Sequence, residues 1–93
     1  MIGIIGGFGD IGCEVVKSLW MMGYRNLLVG GRHNNDMFHT QTEIKYQYID
    51  LNKQVGIENF VKKCKIIINC SGLSCNMTRV LILKIKEHGC SYI

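Results

Sequence analysis

A glycine-rich run, Gly7-Phe8-Gly9-Asp10-Ile11-Gly12, constrains the fold of this 93-residue chain more than any other feature. The run has the spacing G-x-G-x-x-G and follows an apolar segment, Met1 to Ile5, that is typical of a short buried strand. A helical pattern comes next, with apolar residues at spacings of four, four and three: Ile11, Val15, Leu19 and Met22. The sequence therefore predicts a strand, a tight glycine turn and a helix, in that order.

This order of elements is what a dinucleotide-binding turn requires. Gly7 permits the turn, Gly9 lets the backbone approach a pyrophosphate, and Gly12 lets the helix pack closely on the strand. The phosphates would lie at the helix N-terminus, against unpaired N–H groups and the positive end of the helix dipole. Asp10 suits that dipole but would repel the phosphates, so we expect it to point outward. The expected contacts are Gly7, Phe8, Gly9, Asp10, Ile11 and Gly12; a glycine-rich turn without a ligand is the alternative.

Strand and helix patterns alternate along the rest of the chain, which predicts a parallel sheet with right-handed crossovers. The fold class is therefore α/β: one domain over residues 1–93, a three-layer, Rossmann-like, doubly wound parallel sheet of about five strands in the order 3-2-1-4-5. Gly23 ends the first helix. Further strands are predicted at Asn26–Val29, Lys45–Ile49, Lys65–Cys70 and Cys90–Ile93, and further helices at Gln54–Lys63 and Asn76–His88.

Residues 33–43 are polar and show no helical period beyond about one turn, around Asp36 to Phe38. The second crossover helix is therefore expected to be reduced or absent. Part of the sheet over the second and third strands would then be uncovered, unless Met37 and Phe38 fold over it. We expect a homodimer or another partner element to cover that patch.

Composition narrows the class of protein. The chain is 47% hydrophobic and 19% charged, as in ordinary folded domains. Its net charge of +4 comes from scattered lysines without a basic stripe, so a nucleic-acid partner is not expected. No apolar run is long enough to span a membrane, and the N-terminus lacks the pattern of a signal peptide.

The five cysteines are odd in number and contain no C-x-x-C pair. No histidine or second cysteine pair stands at the spacing of a zinc site, so no metal site is expected. Small buried thiols in a reducing compartment are the preferred interpretation, which favours a cytoplasmic location. These residues are Cys13, Cys64, Cys70, Cys75 and Cys90.

The end of the second strand indicates which dinucleotide is bound. In NAD-binding members of this fold, an acidic residue about 20 positions after the glycines binds the ribose 2′-OH. Gly30 or Gly31 occupies that place here, and Arg32 follows. A guanidinium pairs with a 2′-phosphate, which a carboxylate would repel. The sequence therefore favours NADP over NAD, with Gly31 and Arg32 at the ribose; a solvent-exposed loop arginine is the alternative.

Two further segments follow predicted strands at their carboxyl ends, where ligands bind in open α/β sheets. Asp50 is expected to accept a hydrogen bond from the adenine amino group, with Leu51 against the ring. A turn or helix N-cap is the alternative role for Asp50. The segment Asn69, Cys70, Ser71 and Gly72 is expected beside the nicotinamide ribose, with a simple tight turn at Ser71 and Gly72 as the alternative.

Together, GGFGDIG, VGGRHN, YIDL, IINCSG and EHGCSYI resemble the N-terminal cofactor domain of the saccharopine dehydrogenase family, over essentially the whole chain. GR after the second strand, NCSG after the fourth and HG-x-x-Y near the end are more specific than the glycine loop. The resemblance implies an NAD(P)-dependent oxidoreductase, with several members of the family acting on secondary amines formed from amino acids. It also implies a large catalytic domain after the last strand, as a missing partner of this chain.

The sequence shows no recognisable set of catalytic residues. No tyrosine has a lysine four positions later, and the histidines are isolated, with His88 expected as a cation at the end of a helix. The hydride chemistry would then belong to the cofactor, and this domain would bind and orient it. A stand-alone nucleotide-sensing regulatory module and a fold that has lost its ligand are the alternative functions.

Overall fold

The computed structural model describes residues 1–6, 10–32, 44–51, 53–71 and 75–93. Strands and helices alternate along these segments, as predicted. Apart from the start of the second described helix, the bounds agree with the predicted ones to within two residues. The elements are β1 (Ile2–Ile5), α1 (Asp10–Met21), β2 (Leu27–Gly31), β3 (Lys45–Tyr48), α2 (Ile57–Lys63), β4 (Ile66–Asn69), α3 (Cys75–Glu87) and β5 (Ser91–Tyr92).

The five strands form one sheet in the order β3-β2-β1-β4-β5, and every neighbouring pair is parallel. The central strand β1 places Ile4 beside Val29 of β2 and Ile68 of β4. This confirms the predicted α/β architecture and strand order. The reduced crossover helix and the uncovered patch were predicted for residues 33–43, which lie outside the described residues.

Alternate strand residues point to opposite faces of the sheet, which gives three layers. On one face, Ile4, Leu27 and Val29 pack with Val16 of α1. The other face carries a larger cluster beneath α2 and α3, centred on Phe60, which is fully buried. Within the described part of the chain, no helix is long and apolar enough to cross a membrane.

Helix α1 forms as predicted, and Val15 and Leu19 of the predicted apolar stripe pack, half-buried, against the core cluster on that face of the sheet. Cys13 and Val16 are buried, and Gly12 is buried beside them. Ile11 and Met22, two of the apolar residues that marked the helical pattern, are 72% and 71% exposed. The most buried line of α1 therefore runs through residues 12, 13 and 16, beside the predicted stripe, which is exposed at Ile11 and Met22.

Helix α2 begins at Ile57, three residues later than the predicted start at Gln54. Val55, expected inside the helix, instead forms an antiparallel bridge with Asp50, with backbone hydrogen bonds of 3.0 and 2.9 Å. Gly56 then turns the chain with a φ of 78°. A Cβ atom at Gly56 would lie 2.6 Å from the carbonyl oxygen of Tyr48, so only glycine fits there.

Candidate functional site

The carboxyl ends of the central strands meet at one edge of the sheet. The Gly6 amide donates to the carbonyl of Gly30 at 2.8 Å, which joins the ends of β1 and β2. The Cys70 amide donates to the carbonyl of Ile5, also at 2.8 Å, which joins the ends of β1 and β4. The segments after three strands are therefore held side by side where a doubly wound sheet binds its ligands.

Gly6 lies close to the backbone of the segment that follows β4. Its φ is +79°, and a Cβ atom there would lie 2.9 Å from the backbone nitrogen of Ser71. Since the neighbouring atoms are backbone, no side-chain movement would relieve the contact. Gly6 was not among the expected site residues. The signal that could have found it is the glycine doublet Gly6-Gly7, ahead of the motif itself.

The glycine loop is described only at its two ends. Gly7, Phe8 and Gly9 lie outside the described residues, as does Gly72 after β4. Helix α1 begins at Asp10, so its N-terminus and the positive end of its dipole lie at this edge of the sheet. Two further loop residues are described in full: Ile11 is exposed, and Gly12 is buried as close helix packing requires.

The end of β2 presents an arginine on an anchored backbone. The carbonyl of Gly31 accepts hydrogen bonds from the Tyr46 hydroxyl at 3.0 Å and from the Ile49 amide at 3.1 Å. Burial, with a smaller contribution from Tyr48, raises the pKa of Tyr46, so its hydroxyl keeps its proton and donates. Arg32 follows directly and is exposed to solvent. Arg32 therefore places a positive charge at the end of β2, next to a backbone that these hydrogen bonds hold in place.

Asp50 is buried, at 5% exposed, and its contacts are those of a turn residue. Its Oδ1 accepts a hydrogen bond from the Lys53 amide at 3.2 Å, and the Tyr48 hydroxyl lies 3.5 Å from Oδ2. The turn role, one of the two that the sequence left open, is therefore observed. The adenine contact stays a prediction. Leu51 is half-buried and packs against the larger core cluster.

The end of β4 is organised by Asn69. Its Oδ1 accepts hydrogen bonds from the Ser71 amide at 3.0 Å and from the Ser71 hydroxyl. Its Nδ2 donates to the Tyr92 hydroxyl oxygen on β5, also at 3.0 Å. Asn69 was expected beside the nicotinamide ribose, but its hydrogen bonds were not predicted. Tyr92 was not among the expected site residues, although it stands in the segment EHGCSYI. Cys70 stands between Asn69 and Ser71 in the sequence. Burial raises the pKa of its thiol, so the thiol stays neutral.

His88, the expected helix-end cation, contacts Glu58 of α2, with its Nε2 3.3 Å from the carboxylate Oε1. Glu87 lies beside them, so that one ligand atom from each of the three residues falls within 4.8 Å of the others. The cluster joins α2 to the end of α3. It shares no residue with the strand-end site described above.

No protein-family model matches this chain, and no curated protein matches it significantly. Solved structures match its fold. A short-chain dehydrogenase/reductase (wide type) from Veillonella parvula in complex with NADP has a TM-score of 0.81 at 11% identity, over 98% of this chain and 44% of its own.

Two further structures are similar. A NADPH-dependent quinone oxidoreductase from Escherichia coli has a TM-score of 0.75 at 18% identity, over 97% of this chain and 32% of its own. A monomeric L-threonine 3-dehydrogenase from a metagenome database has a TM-score of 0.78 at 16% identity, over 99% of this chain and 34% of its own. The chain thus spans a third to under half of these proteins, and it has the Rossmann-type fold that they contain.

Proposed function

We propose that this chain is the NADP(H)-binding domain of an oxidoreductase. The observation that carries the proposal is the backbone approach of Gly6 to Ser71, beside the N-terminus of α1. It brings the turns after β1 and β4 together beside the helix N-terminus, whose unpaired N–H groups would receive a pyrophosphate. Two proteins of similar fold support the same ligand, since one is a complex with NADP and another is NADPH-dependent.

In this proposal the cofactor lies across the carboxyl edge of the sheet. The pyrophosphate contacts the loop from Gly7 to Gly12, and the nicotinamide ribose lies beside residues 70–72. The adenosine lies over the ends of β2 and β3, near Leu51. When bound, the nicotinamide supplies hydride transfer; the residues of this chain bind and orient it.

The preference for NADP over NAD rests on the end of β2. Gly30 faces Phe60, and a Cβ atom at Gly30 would lie 2.6 Å from that ring. A carboxylate therefore does not fit at Gly30, one of the two places where an NAD-binding domain would carry it. Arg32 is exposed and available to a 2′-phosphate, to which a planar guanidinium donates paired hydrogen bonds.

The parent enzyme is proposed to be saccharopine dehydrogenase-like, on the motifs NCSG and HG-x-x-Y. A catalytic domain elsewhere in such an enzyme would supply the substrate side of the site. Residues 1–93 alone are then expected to bind cofactor without turning substrate over. A cytoplasmic location belongs to the same proposal. The same proposal includes a second copy of the chain, or another partner element, that covers β2 and β3. The molar mass measured by light scattering would test it.

The direct test is a calorimetric titration of the chain with NADPH, NADH, ATP and ADP. The proposal predicts measurable binding of both dinucleotides, with NADPH the tighter. Tighter binding of ATP or ADP would instead favour a nucleotide-sensing regulatory module. No binding of any of the four would indicate a fold that has lost its ligand. Equal affinities for NADPH and NADH would refute the preference but not the class of ligand.

A further inference from the structure

A side-chain bridge joins β5 to the turn that follows β4. The Tyr92 hydroxyl oxygen accepts a hydrogen bond from Asn69 Nδ2 at 3.0 Å. The other end of the same amide, Oδ1, accepts from the Ser71 amide and hydroxyl. The Asn69 side chain is thus held at both ends, by partners that lie on either side of it.

This bridge fixes which way the Asn69 amide points. An asparagine amide can turn over and exchange its oxygen and nitrogen, and its hydrogen-bond partners decide the orientation. The Ser71 amide requires the oxygen, and the Tyr92 hydroxyl accepts from the nitrogen. The Ser71 N–H can only donate, so it keeps the oxygen on its side, since the flipped amide would place two donors against each other. The Tyr92 hydroxyl accepts from the nitrogen of this orientation and so gives the Asn69 side chain a second anchor.

Ser71 in turn lies against the glycine edge of the candidate site. Its backbone nitrogen would be 2.9 Å from a Cβ atom at Gly6, and Gly6 opens the turn between β1 and α1. The contacts run from Tyr92 through Asn69 to Ser71, and so to Gly6. A small displacement of Ser71 would change the shape of the nicotinamide side of the edge, where placement errors of about 1 Å are costly.

We propose that Tyr92 is a positioning residue for the cofactor: through Asn69 it holds Ser71 against Gly6 and so sets the nicotinamide half of the site. The inference rests on the proposed function and adds a residue to it. Arg32, at the adenosine half, follows β2, which is separated from β4 by β1. Loss of the Tyr92 hydroxyl therefore weakens cofactor contacts in the nicotinamide half of the site and leaves those at Arg32 unchanged.

The test is Tyr92→Phe, which keeps the ring and removes only the hydroxyl. Its affinity is measured for NADPH and for adenosine 2′,5′-bisphosphate, which carries the adenosine half alone. Loss of one hydrogen bond should weaken NADPH binding roughly three- to tenfold and leave the bisphosphate unchanged. The matched control is Tyr24→Phe, since Tyr24 is 48% exposed and precedes β2 at the opposite edge of the sheet. It should leave both affinities unchanged.

A second measurement needs no ligand. The Ser71 amide donates to Asn69, so it should exchange with solvent deuterium faster in Tyr92→Phe than in the unaltered chain. Equal weakening of both ligands, or unchanged NADPH affinity together with unchanged Ser71 exchange, would overturn the inference. An unaltered chain that binds no dinucleotide would contradict the proposed function instead. The exchange rate of Ser71 would then still decide whether Tyr92 holds it.

Discussion

The tip of the Phe60 ring lies against Gly30. A Cβ atom at Gly30 would lie 2.6 Å from Cε2 of the ring, and one at Gly3, on the next strand, would lie 2.7 Å from Cε1. Two glycines on adjacent strands therefore form the surface on which a fully buried aromatic ring rests. The same contact explains why the end of β2 has no acidic residue at Gly30.

Gly30→Ala should destabilise the domain, because its new methyl group has no space beside the ring. Overpacking of this kind costs about 1–3 kcal/mol of unfolding free energy, measured by urea denaturation. Met21→Ala, at a position 86% exposed, should change stability by less than about 0.5 kcal/mol. In a Phe60→Leu background the penalty of Gly30→Ala should shrink. An equal penalty in both backgrounds would show that Phe60 is not its cause.

Gly6→Ala should damage both stability and cofactor binding. Its positive φ disfavours a side chain, and its Cβ would meet the backbone of Ser71. Gly89→Ala is the matched control, because Gly89 also has a positive φ, of 69°, but no atom within 4 Å of a Cβ there. The control should lose about 1–2 kcal/mol of stability from backbone strain alone. If the two variants lose the same stability and bind NADPH equally, the contact between Gly6 and Ser71 contributes to neither stability nor binding.

Arg32→Glu should remove the preference for NADPH. A carboxylate there repels the 2′-phosphate and offers an acceptor to the 2′-OH of NADH, so the ratio of the two affinities should fall about tenfold or more. Calorimetry with both cofactors measures that ratio. Lys17→Glu makes the same change of charge at an exposed position on α1 and should leave the ratio unchanged. A similar fall in both variants would indicate a general effect of net charge rather than a 2′-phosphate contact.

Stability should fall in alkali because of Cys64. Burial raises the pKa of its thiol from 9.0 to about 11, an effect that the positive N-terminus partly offsets. Between these two values the unfolded chain releases the thiol proton while the folded chain keeps it. The unfolding free energy therefore decreases as the pH rises from about 9 to 11, and is unaffected by this group below that window.

The check is urea denaturation at pH 8 and pH 10.5. Cys64→Ala serves as the control, because lysines and tyrosines also titrate in this window. That variant leaves a cavity and should be less stable at both values. Its loss of stability between the two pH values should nevertheless be smaller than that of the unaltered chain. Equal losses would mean that the Cys64 thiol does not contribute.

The sequence predicted those features that depend on local pattern. The run Ile66 to Ile68 and the strand–turn–helix context of Gly12 each specify their element within a few neighbouring residues, and the strand order follows from alternation and crossover handedness. The predicted start of α2 was wrong. Val55 forms a β-bridge with Asp50, and the spacing of apolar residues in the sequence does not indicate such a bridge.

The candidate site also contains some residues that the sequence predicted and others that it did not. Arg32 was predicted from its distance along the chain to the glycine motif, which a sequence displays directly; its contact with a 2′-phosphate stays a prediction. Gly6 and Tyr92 were not predicted, because each contacts a segment far away in sequence, 23 residues in the case of Tyr92 and Asn69. Only the register of β1, β4 and β5 brings them together.

Amide chemical-shift mapping of the ¹⁵N-labelled chain during a titration with NADPH tests directly whether the cofactor binds at the carboxyl edge of the sheet. Saturable shifts are predicted at Gly6, Gly12, Arg32 and Ser71, which border the carboxyl edge of the sheet. Gly23 and Gly89, which follow the ends of α1 and α3, should not move. Shifts confined to those two glycines, or no shifts with excess NADPH, would contradict the assignment of this edge as an NADP(H) site.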